Sequence, residues 1–182
     1  MHNFFVGYTQ LAFPARFLSP REACQALLLL AFCHVSCFAY FFMGDSCKGN
    51  PGPGGWGAII VYGSVERELS GGEERTTNNR MELSGAIAGL AALKERCHVT
   101  LYSDSKYLID ALQKGWAVGW RARGWKKSDG KPALNPDLWE RLLGLMERHE
   151  VETVWVKGHA GHAYNERCDA LAVAAAEACK RY

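Results

Sequence analysis

Residues 155–172 read WVKGHAGHAYNERCDALA, so that a short apolar strand is followed by a glycine-rich loop and then by a helix. Gly158 and Gly161 allow the backbone to bend on either side of two imidazoles. His159 is therefore better placed to swing over a site than to fill a core. Asp169 stands near the start of the helix, where an acid is ordinarily a surface charge of the first turn. Whether this His and this Asp serve a site depends on the other acids of the chain.

Three further acids stand beside predicted strand ends or helix starts. Glu82 lies in NNRMEL, Asp104 in LYSDSKY and Asp45 in GDSCKGNPGPGG. Mg²⁺ prefers hard oxygen ligands and retains several waters for a substrate phosphate, so carboxylates that a fold can gather predict a magnesium site. Zinc is the alternative, although no fourth ligand accompanies its candidate ligands, which are His159, His162 and Cys168.

The chain has 182 residues, of which 48% are hydrophobic, enough for one ordinary domain with a real core and an extension. The net charge is only +2, so bulk charge does not indicate a nucleic-acid partner. Any such indication has to come from the distribution of charge along the chain. The seven cysteines form an odd set without a Cys-x-x-Cys pair, which argues against a disulfide framework and against a zinc ribbon. We therefore expect a reducing, cytoplasmic compartment.

The N-terminal residues 1–36 differ from the rest because they contain few acids and lead into a nearly uncharged run over residues 25–44. That run is almost long enough for a membrane helix, and a basic start before an apolar run also resembles a targeting segment. Residues 38–42, however, have the aromatic and apolar density of a buried first strand. Only about ten apolar residues then precede the strand, too few to cross a bilayer. We therefore expect a leader over residues 1–36, disordered or a lone helix, a domain over residues 37–182, and no membrane contact through residues 25–44.

From Trp56 onward the pattern is regular. Residues 56–63 and 65–72 alternate as two strands around a tight turn at Gly63 and Ser64, which predicts an antiparallel hairpin. Thr77 is placed to cap the next helix. A hairpin followed by strands that alternate with helices predicts an α/β fold, with a mixed sheet and helices on both faces. The remaining predicted elements are a helix over 78–96, a strand over 98–105, a helix over 105–115, a basic connector, a helix over 135–148, a strand over 152–156 and a helix over 165–180.

Six stretches of the chain together resemble a bacterial type-I ribonuclease H. They are SCKGNPGPGGWGAI, TTNNRMEL, SDSKY, GWKKSDGKP, NPDLW and WVKGHAGHAYNERCDALA, in the family's order over residues 38–180. Any one of them alone is a weak signal, whereas the ordered set is specific. The resemblance implies a ribonuclease H-like five-stranded mixed sheet, three antiparallel strands then parallel additions, flanked by helices on both faces. It also implies endonucleolytic cleavage of the RNA strand of RNA–DNA hybrids, leaving 5'-phosphate and 3'-hydroxyl ends.

The resemblance assigns a role to each acid. Glu82, Asp104 and Asp169 match three of the family's four metal-binding acids, and His159 matches its mobile histidine, which assists proton transfer or product release. One or two Mg²⁺ ions, with Mn²⁺ as a substitute, would activate water and stabilise the departing oxygen. The structural alternatives are a first-turn helix charge for Glu82, a helix cap for Asp104 and a surface acid for Asp169. The family's outer shell around the metal site corresponds to Asn165 and Glu166.

The fourth acid is where this sequence departs from the family. The family has Asp-Gly-Ser-Cys at the end of its first strand, whereas this chain has Gly44, Asp45, Ser46 and Cys47. A shift of one residue in a strand points the side chain to the opposite face, so Asp45 would aim away from the cluster unless Gly44 forms a bulge. Two hypotheses follow: Asp45 is a fourth ligand, or the chain is a hybrid-binding protein with weak or no catalysis.

A local basic patch over residues 114–131 contains a single acid, Asp129, and three interleaved tryptophans. The structural alternative is a solvated helix whose tryptophans pack inward, but cations among aromatic rings also suit a surface that follows a nucleic-acid backbone. In the family this region holds the DNA strand of the RNA–DNA hybrid. The hybrid is the expected partner, and the enzyme is expected to be a monomer. The candidate contacts in the patch are Trp116, Arg121, Arg123, Lys126 and Lys127. By the same resemblance, a DNA-phosphate pocket comprises Arg75, Thr77 and Asn135, and minor-groove contacts come from Asn50, Asn78 and Asn79.

Overall fold

A computed structural model of the chain describes residues 37–158 and 163–179. All of them lie in Ser36–Tyr182, one of the two units into which the contacts divide the chain. The expectations for residues 1–36, and those for His159 and His162, fall outside the described residues. Among the residues described, no helix is both long enough and apolar enough to cross a membrane.

The described strands form one five-stranded mixed sheet in the order β3-β2-β1-β4-β5. Antiparallel pairing joins β1 to β2 and β2 to β3, while β4 is parallel to both β1 and β5. The predicted arrangement of three antiparallel strands with parallel additions is therefore confirmed. The strands are β1 Cys37–Cys47, β2 Gly52–Tyr62, β3 Val65–Thr76, β4 Cys97–Ser103 and β5 Glu150–Trp155.

The helices of the described part connect and cover these strands. The segment predicted as an irregular basic connector contains a short helix, because Ala117 and Trp120 are spaced to bury one helical stripe. The first helix ends at Ala91 and not at Arg96, since the polar residues Lys94, Glu95 and Arg96 add nothing to its buried face. The helices are α1 Asn78–Ala91, α2 Lys106–Gln113, α3 Trp116–Ala122, α4 Pro136–Met146 and α5 Ala163–Ala178.

Glycines of β1 and β2 allow α5 to lie directly on the sheet. A Cβ atom added at Gly55 would be 2.2 Å from the carbonyl oxygen of Ala172, and one added at Gly57 would be 2.3 Å from that of Cys168. The GPGG segment, whose glycines and proline are typical of a turn, is therefore part of β2. Gly54 faces the other way, toward Met81 of α1. Because successive residues of a strand point to opposite faces, α1 and α5 cover opposite faces of the sheet.

The main core lies between the sheet and α1, α2 and α4. Its largest fully buried side chains include Trp139, Leu101, Leu108, Met81 and Leu90. A smaller cluster on the α5 side contains Ile59 and Cys168. This architecture places the carboxyl ends of β1 and β4 next to each other, with α1 on one side and α5 on the other.

Of the candidate zinc ligands, only Cys168 lies within the described residues. Burial raises the pKa of Cys168 to about 12, which keeps it a thiol rather than a thiolate ligand. Cys47 and Cys179 carry free thiols. Cys97 is disulfide-bonded, a feature that the cysteine spacing did not predict.

Candidate active site

Four acids from separate elements meet at the carboxyl ends of β1 and β4. Asp45 lies near the end of β1, Glu82 in α1, Asp104 immediately after β4, and Asp169 in α5. Three of them line an open cavity of about 430 Å³. The lining residues are Asp45, Ser46, Cys47, Asn78, Asp104, Asp169 and Val173.

Glu82 is held by Ser105, a residue that the sequence did not single out as functional. The Ser105 hydroxyl donates a hydrogen bond to Glu82 Oε2 and accepts one from the Leu108 N–H at 3.1 Å, so it caps α2 at the same time. Burial raises the pKa of Glu82, the Ser105 hydrogen bond opposes that effect, and the charge of Asp104 adds to it. The capping position of a Ser beside an acid is the signal that could have identified it.

Asp104 lies against the strand that opens the 155–172 stretch. Trp155 Nε1 donates a hydrogen bond of 3.1 Å to the Asp104 carbonyl oxygen. A Cβ atom at Gly158 would be only 2.7 Å from Asp104 Oδ2, so the backbone after β5 passes directly over this carboxylate. A side chain at position 158 would therefore displace the Asp104 carboxylate from this orientation.

Gly44 and Asp45 divide between the two faces of the sheet. Gly44 faces α5, since an added Cβ would be 2.2 Å from Asp169 Oδ1. Asp45 pairs with Trp56, which packs beside Gly85 of α1, so its side chain starts on the opposite face. The carboxyl group nevertheless stays near the cluster: burial, and then the charges of Glu82, Asp104 and Asp169, raise the pKa of Asp45 to about 7. The opposite faces of Gly44 and Asp45 follow the predicted strand alternation, and Asp45 nevertheless lines the same cavity as Asp104 and Asp169.

The donor set fits a divalent cation in its chemistry. Carboxylate oxygens are the ligands that Mg²⁺ and Mn²⁺ favour, and the mutual repulsion of these acids is relieved by a cation. Within residues 37–158 and 163–179, no three His, Cys, Asp or Glu side chains are already arranged as a closed metal site.

Asn165 and Glu166 behave differently in the first turn of α5. Asn165 is 3% exposed, and its Nδ2 has no hydrogen-bond partner among the described residues. Glu166 is exposed. A buried amide without a partner is costly, so Asn165 is the better candidate for holding a group of the site.

The candidate phosphate ligands stand at the starts of two helices. Thr77 occupies the N-cap position of α1, as predicted, although its side chain makes no capping hydrogen bond. Asn135 precedes α4 in a left-handed conformation with φ of 56°. Arg75 is exposed at the end of β3. The minor-groove candidates Asn50 and Asn78 are exposed, and Asn79 is half-buried.

The basic patch separates into packed and available groups. Trp120 is only 9% exposed, whereas Trp116 is 45% exposed with the Lys114 ammonium 4.8 Å from its ring centre. Arg121 is engaged by Glu147 at 2.7 Å. No described residue forms an ion pair with Lys126 or Lys127, which belong to the tight turn after α3, and Arg123 is exposed beside them.

Comparisons with known proteins agree with this architecture. The family model for RNase H matches residues 39–177. Ribonuclease H of Desulforamulus reducens is 61% identical over 132 residues, which cover 72% of this chain and 83% of that protein. Ribonuclease H of Agrobacterium fabrum is 56% identical over 140 residues, covering 77% and 95%.

The fold is also that of solved structures. LC9-RNase H1, described as a type 1 RNase H with the type 2 active-site motif, superimposes with a TM-score of 0.70 at 35% identity, covering 79% of this chain and 74% of that one. Sequence, fold and the position of the acids agree, and the chain belongs to the RNase H family, among its bacterial type-I members.

Proposed function

We propose that this chain hydrolyses the RNA strand of RNA–DNA hybrids at the acid-lined cavity. The observation that supports this most directly is the meeting of Asp45, Glu82, Asp104 and Asp169 at one end of the sheet, in a chain of the RNase H family. The family depends on divalent metal ions. Mg²⁺ is the proposed ion here, with Mn²⁺ able to replace it, and one or two ions bind per site.

Each side chain of the site has a defined task in this proposal. Asp104 and Asp169 line the cavity, and the Ser105 hydroxyl holds the Glu82 carboxylate by a hydrogen bond. These carboxylates would hold the divalent ions, which when bound would supply activation of the attacking water and stabilisation of the departing 3'-oxygen. His159 is proposed to assist proton transfer or product release, so its loss slows turnover without abolishing it. The products carry 5'-phosphate and 3'-hydroxyl ends.

Recognition of the hybrid is proposed to be independent of sequence. Asn78 lines the acid cavity itself, where a short amide can contact 2'-hydroxyls and base edges without selecting a base. Arg75, Thr77 and Asn135 receive a phosphate of the DNA strand, and the basic patch follows its backbone.

A second candidate function is hybrid binding with little or no cleavage. It is favoured by Gly44, which provides no side chain at the position where the family has a metal-binding Asp. The two candidates differ only in whether Asp45 replaces that ligand from the other face.

Cleavage of a 5'-labelled hybrid distinguishes them. Purified protein with Mg²⁺ or Mn²⁺ should cut the RNA strand of the hybrid and leave duplex RNA and duplex DNA intact. Glu82→Gln and Asp104→Asn should each lower the rate by about 100-fold or more, because removal of one carboxylate weakens ion binding. Glu95→Gln, an exposed acid outside the site, is the matched control. Hybrid that is bound but survives every divalent metal would establish the second function instead.

We further propose that residues 37–182 constitute the catalytic domain and act as a monomer in the cytoplasm. All four acids come from a single chain, so no partner subunit is needed to complete the site. Light scattering on the purified protein, in the presence and absence of hybrid, tests the monomeric state.

A further inference from the structure

A forked ion pair joins the first turns of two helices. Arg80 of α1 donates hydrogen bonds from Nη1 to Asp137 Oδ1 at 3.2 Å and from Nη2 to Asp137 Oδ2 at 3.0 Å. Asp137 lies in the first turn of α4. Thr77 precedes α1 and Asn135 precedes α4, so each partner lies within a turn of a candidate phosphate ligand.

We infer that the Arg80–Asp137 pair is a positioning device for the DNA-phosphate pocket, setting the separation of Thr77 and Asn135. The inference rests on the proposed function, because it concerns how the hybrid is gripped. Neither residue of the pair is assigned a contact with substrate.

The backbone transmits the position of the pair to both candidate ligands. The Arg80 N–H donates to the Thr77 carbonyl oxygen at 3.0 Å, and the Trp139 N–H donates to that of Asn135 at 3.0 Å. Two parallel bonds between a guanidinium and a carboxylate fix direction as well as distance, which a single ammonium contact does not. The two helix starts are therefore tied at a defined spacing.

The pair adds a side-chain link to a frame that the packing of α1 on α4 already forms. The start of α4 is held from α2, because the Tyr107 hydroxyl donates a hydrogen bond of 3.4 Å to the Leu134 carbonyl oxygen and accepts one of 2.9 Å from Trp139 Nε1. The Thr77 hydroxyl makes no capping bond. Arg80 therefore supplies a direct side-chain link between the Thr77 turn and the start of α4.

The energetic state of the pair suits such a role. The Arg80 side chain is 30% exposed and that of Asp137 is 59% exposed. The Arg80 hydrogen bonds lower the pKa of Asp137, so the carboxylate stays ionised at neutral pH. An ion pair of this exposure adds little to global stability, and its removal should leave the fold intact.

A pure charge effect and a positioning effect predict opposite changes in hybrid affinity for Asp137→Asn. If the pair acted only through charge, Asp137→Asn would remove a negative group near a phosphate, free Arg80 and tighten hybrid binding. If it acts by positioning, Asp137→Asn, Arg80→Gln and the charge-conserving Arg80→Lys each weaken binding about five-fold, a loss of about 1 kcal/mol. The double variant Arg80→Gln/Asp137→Asn then binds no more weakly than either single variant.

The experiment measures fluorescence anisotropy of labelled hybrid in EDTA, where the RNA is not cut. The probes are the unmodified hybrid and a set with one methylphosphonate at successive DNA positions. Binding by the wild-type protein should weaken when the methylphosphonate occupies one particular DNA position. The Arg80 and Asp137 variants, which already bind the unmodified hybrid more weakly, should show little further loss at that position. Tighter binding by Asp137→Asn, near-normal binding by Arg80→Lys, or equal losses at every position in wild type and variants would overturn the inference.

The matched control is the Arg96–Glu150 pair, also a guanidinium and a carboxylate, at 3.1 Å. It lies at the starts of β4 and β5, whereas the acid site lies beyond the other end of β4. Arg96→Gln and Glu150→Gln should leave the methylphosphonate profile unchanged. Cleavage by the wild-type protein in Mg²⁺ is scored separately, so a failure of the nuclease proposal and a failure of the positioning inference are distinguishable.

Discussion

Gly44 shows how a single residue sets the distance between a helix and a strand. An added Cβ would meet not only Asp169 Oδ1 but also the backbone, at 2.9 Å from the Asp169 nitrogen and 3.1 Å from the Cys168 carbonyl carbon. A side chain tip can rotate away, whereas backbone atoms can move only if α5 shifts. Glycine at position 44, where the family has Asp, thus accompanies a close approach of α5 to β1.

Gly44→Ala should therefore destabilise the protein, by about 1–3 kcal/mol, because overpacking at backbone distance forces α5 outward. Thermal unfolding followed by circular dichroism would show a fall of several degrees. Gly144→Ala is the matched control, since nothing lies within 4 Å of an added Cβ in that helical position; it should stabilise by up to about 1 kcal/mol. Equal melting temperatures for Gly44→Ala and the wild type would contradict the close approach of α5 to β1.

Asp45→Asn should have opposite effects on stability and activity. Burial and three neighbouring carboxylates disfavour the ionised side chain. Its neutral replacement should therefore raise the unfolding free energy of the metal-free protein at pH 8 by about 1 kcal/mol, and its melting temperature with it. The same change should lower Mg²⁺-dependent cleavage at least about 10-fold and reduce the stabilisation that Mg²⁺ produces. If cleavage and the Mg²⁺-induced rise in melting temperature both stay at wild-type values, Asp45 does not serve the site.

At the scale of elements, α3 and the turn after it form the basic patch, but its cations are not equivalent. Arg121 is held by Glu147 at 2.7 Å and approaches Glu140 at 3.8 Å, both in or next to α4. Lys126 is exposed on the turn, and Lys127 is half-buried beside it. The first cation fastens α3 to α4, while the two lysines remain available to phosphates.

Hybrid affinity measured against salt concentration should separate these cations. Lys126→Gln and Lys127→Gln should each reduce the magnitude of the slope of log K against log[salt] by about 1, as expected for one lost phosphate contact. Arg121→Gln should reduce it by less, since its charge is already compensated within the protein. A full unit of slope lost in Arg121→Gln, with none lost in the lysine variants, would reverse the assignment.

The accuracy of the sequence predictions also differs between elements. The β2–β3 hairpin and the strand before Asp104 follow from local alternation, which the sequence displays directly. Helix α3 was predicted only as the structural alternative for the basic patch, because its buried face consists of Ala117 and Trp120 only. The reach of Asp45 and the role of Ser105 depend on how separate elements approach each other, and no local pattern contains that information.

At the scale of the whole molecule, His149 connects stability to pH. It is 6% exposed, its Nδ1 accepts a hydrogen bond of 3.3 Å from the Cys97 N–H, and its Nε2 has no partner among the described residues. Burial, and then the charges of Arg148 and Arg96, lower the pKa of His149. The folded state therefore binds a proton at this position less readily than the unfolded state does.

A group whose pKa is depressed on folding contributes stability above its unfolded pKa, here the ordinary value of 6.5, and loses it as the pH falls toward the folded value. The melting temperature should thus decline from pH 7 to pH 5. His149→Asn keeps an acceptor for the Cys97 N–H but cannot titrate, so its decline should be shallower by a few degrees. Parallel curves for the two proteins would show that another group governs the acid limb.

The seat of α5 on β1 and β2 has a consequence during translation. Strands β1, β2 and β3 leave the ribosome early, whereas the helix that covers their glycine-lined face, and with it Asp169, comes near the end of the chain. A nascent chain with α5 still inside the exit tunnel has neither that cover nor the last of the four acids of the nuclease site. Stalled chains of increasing length should therefore become active on hybrid only after residue 178 has emerged.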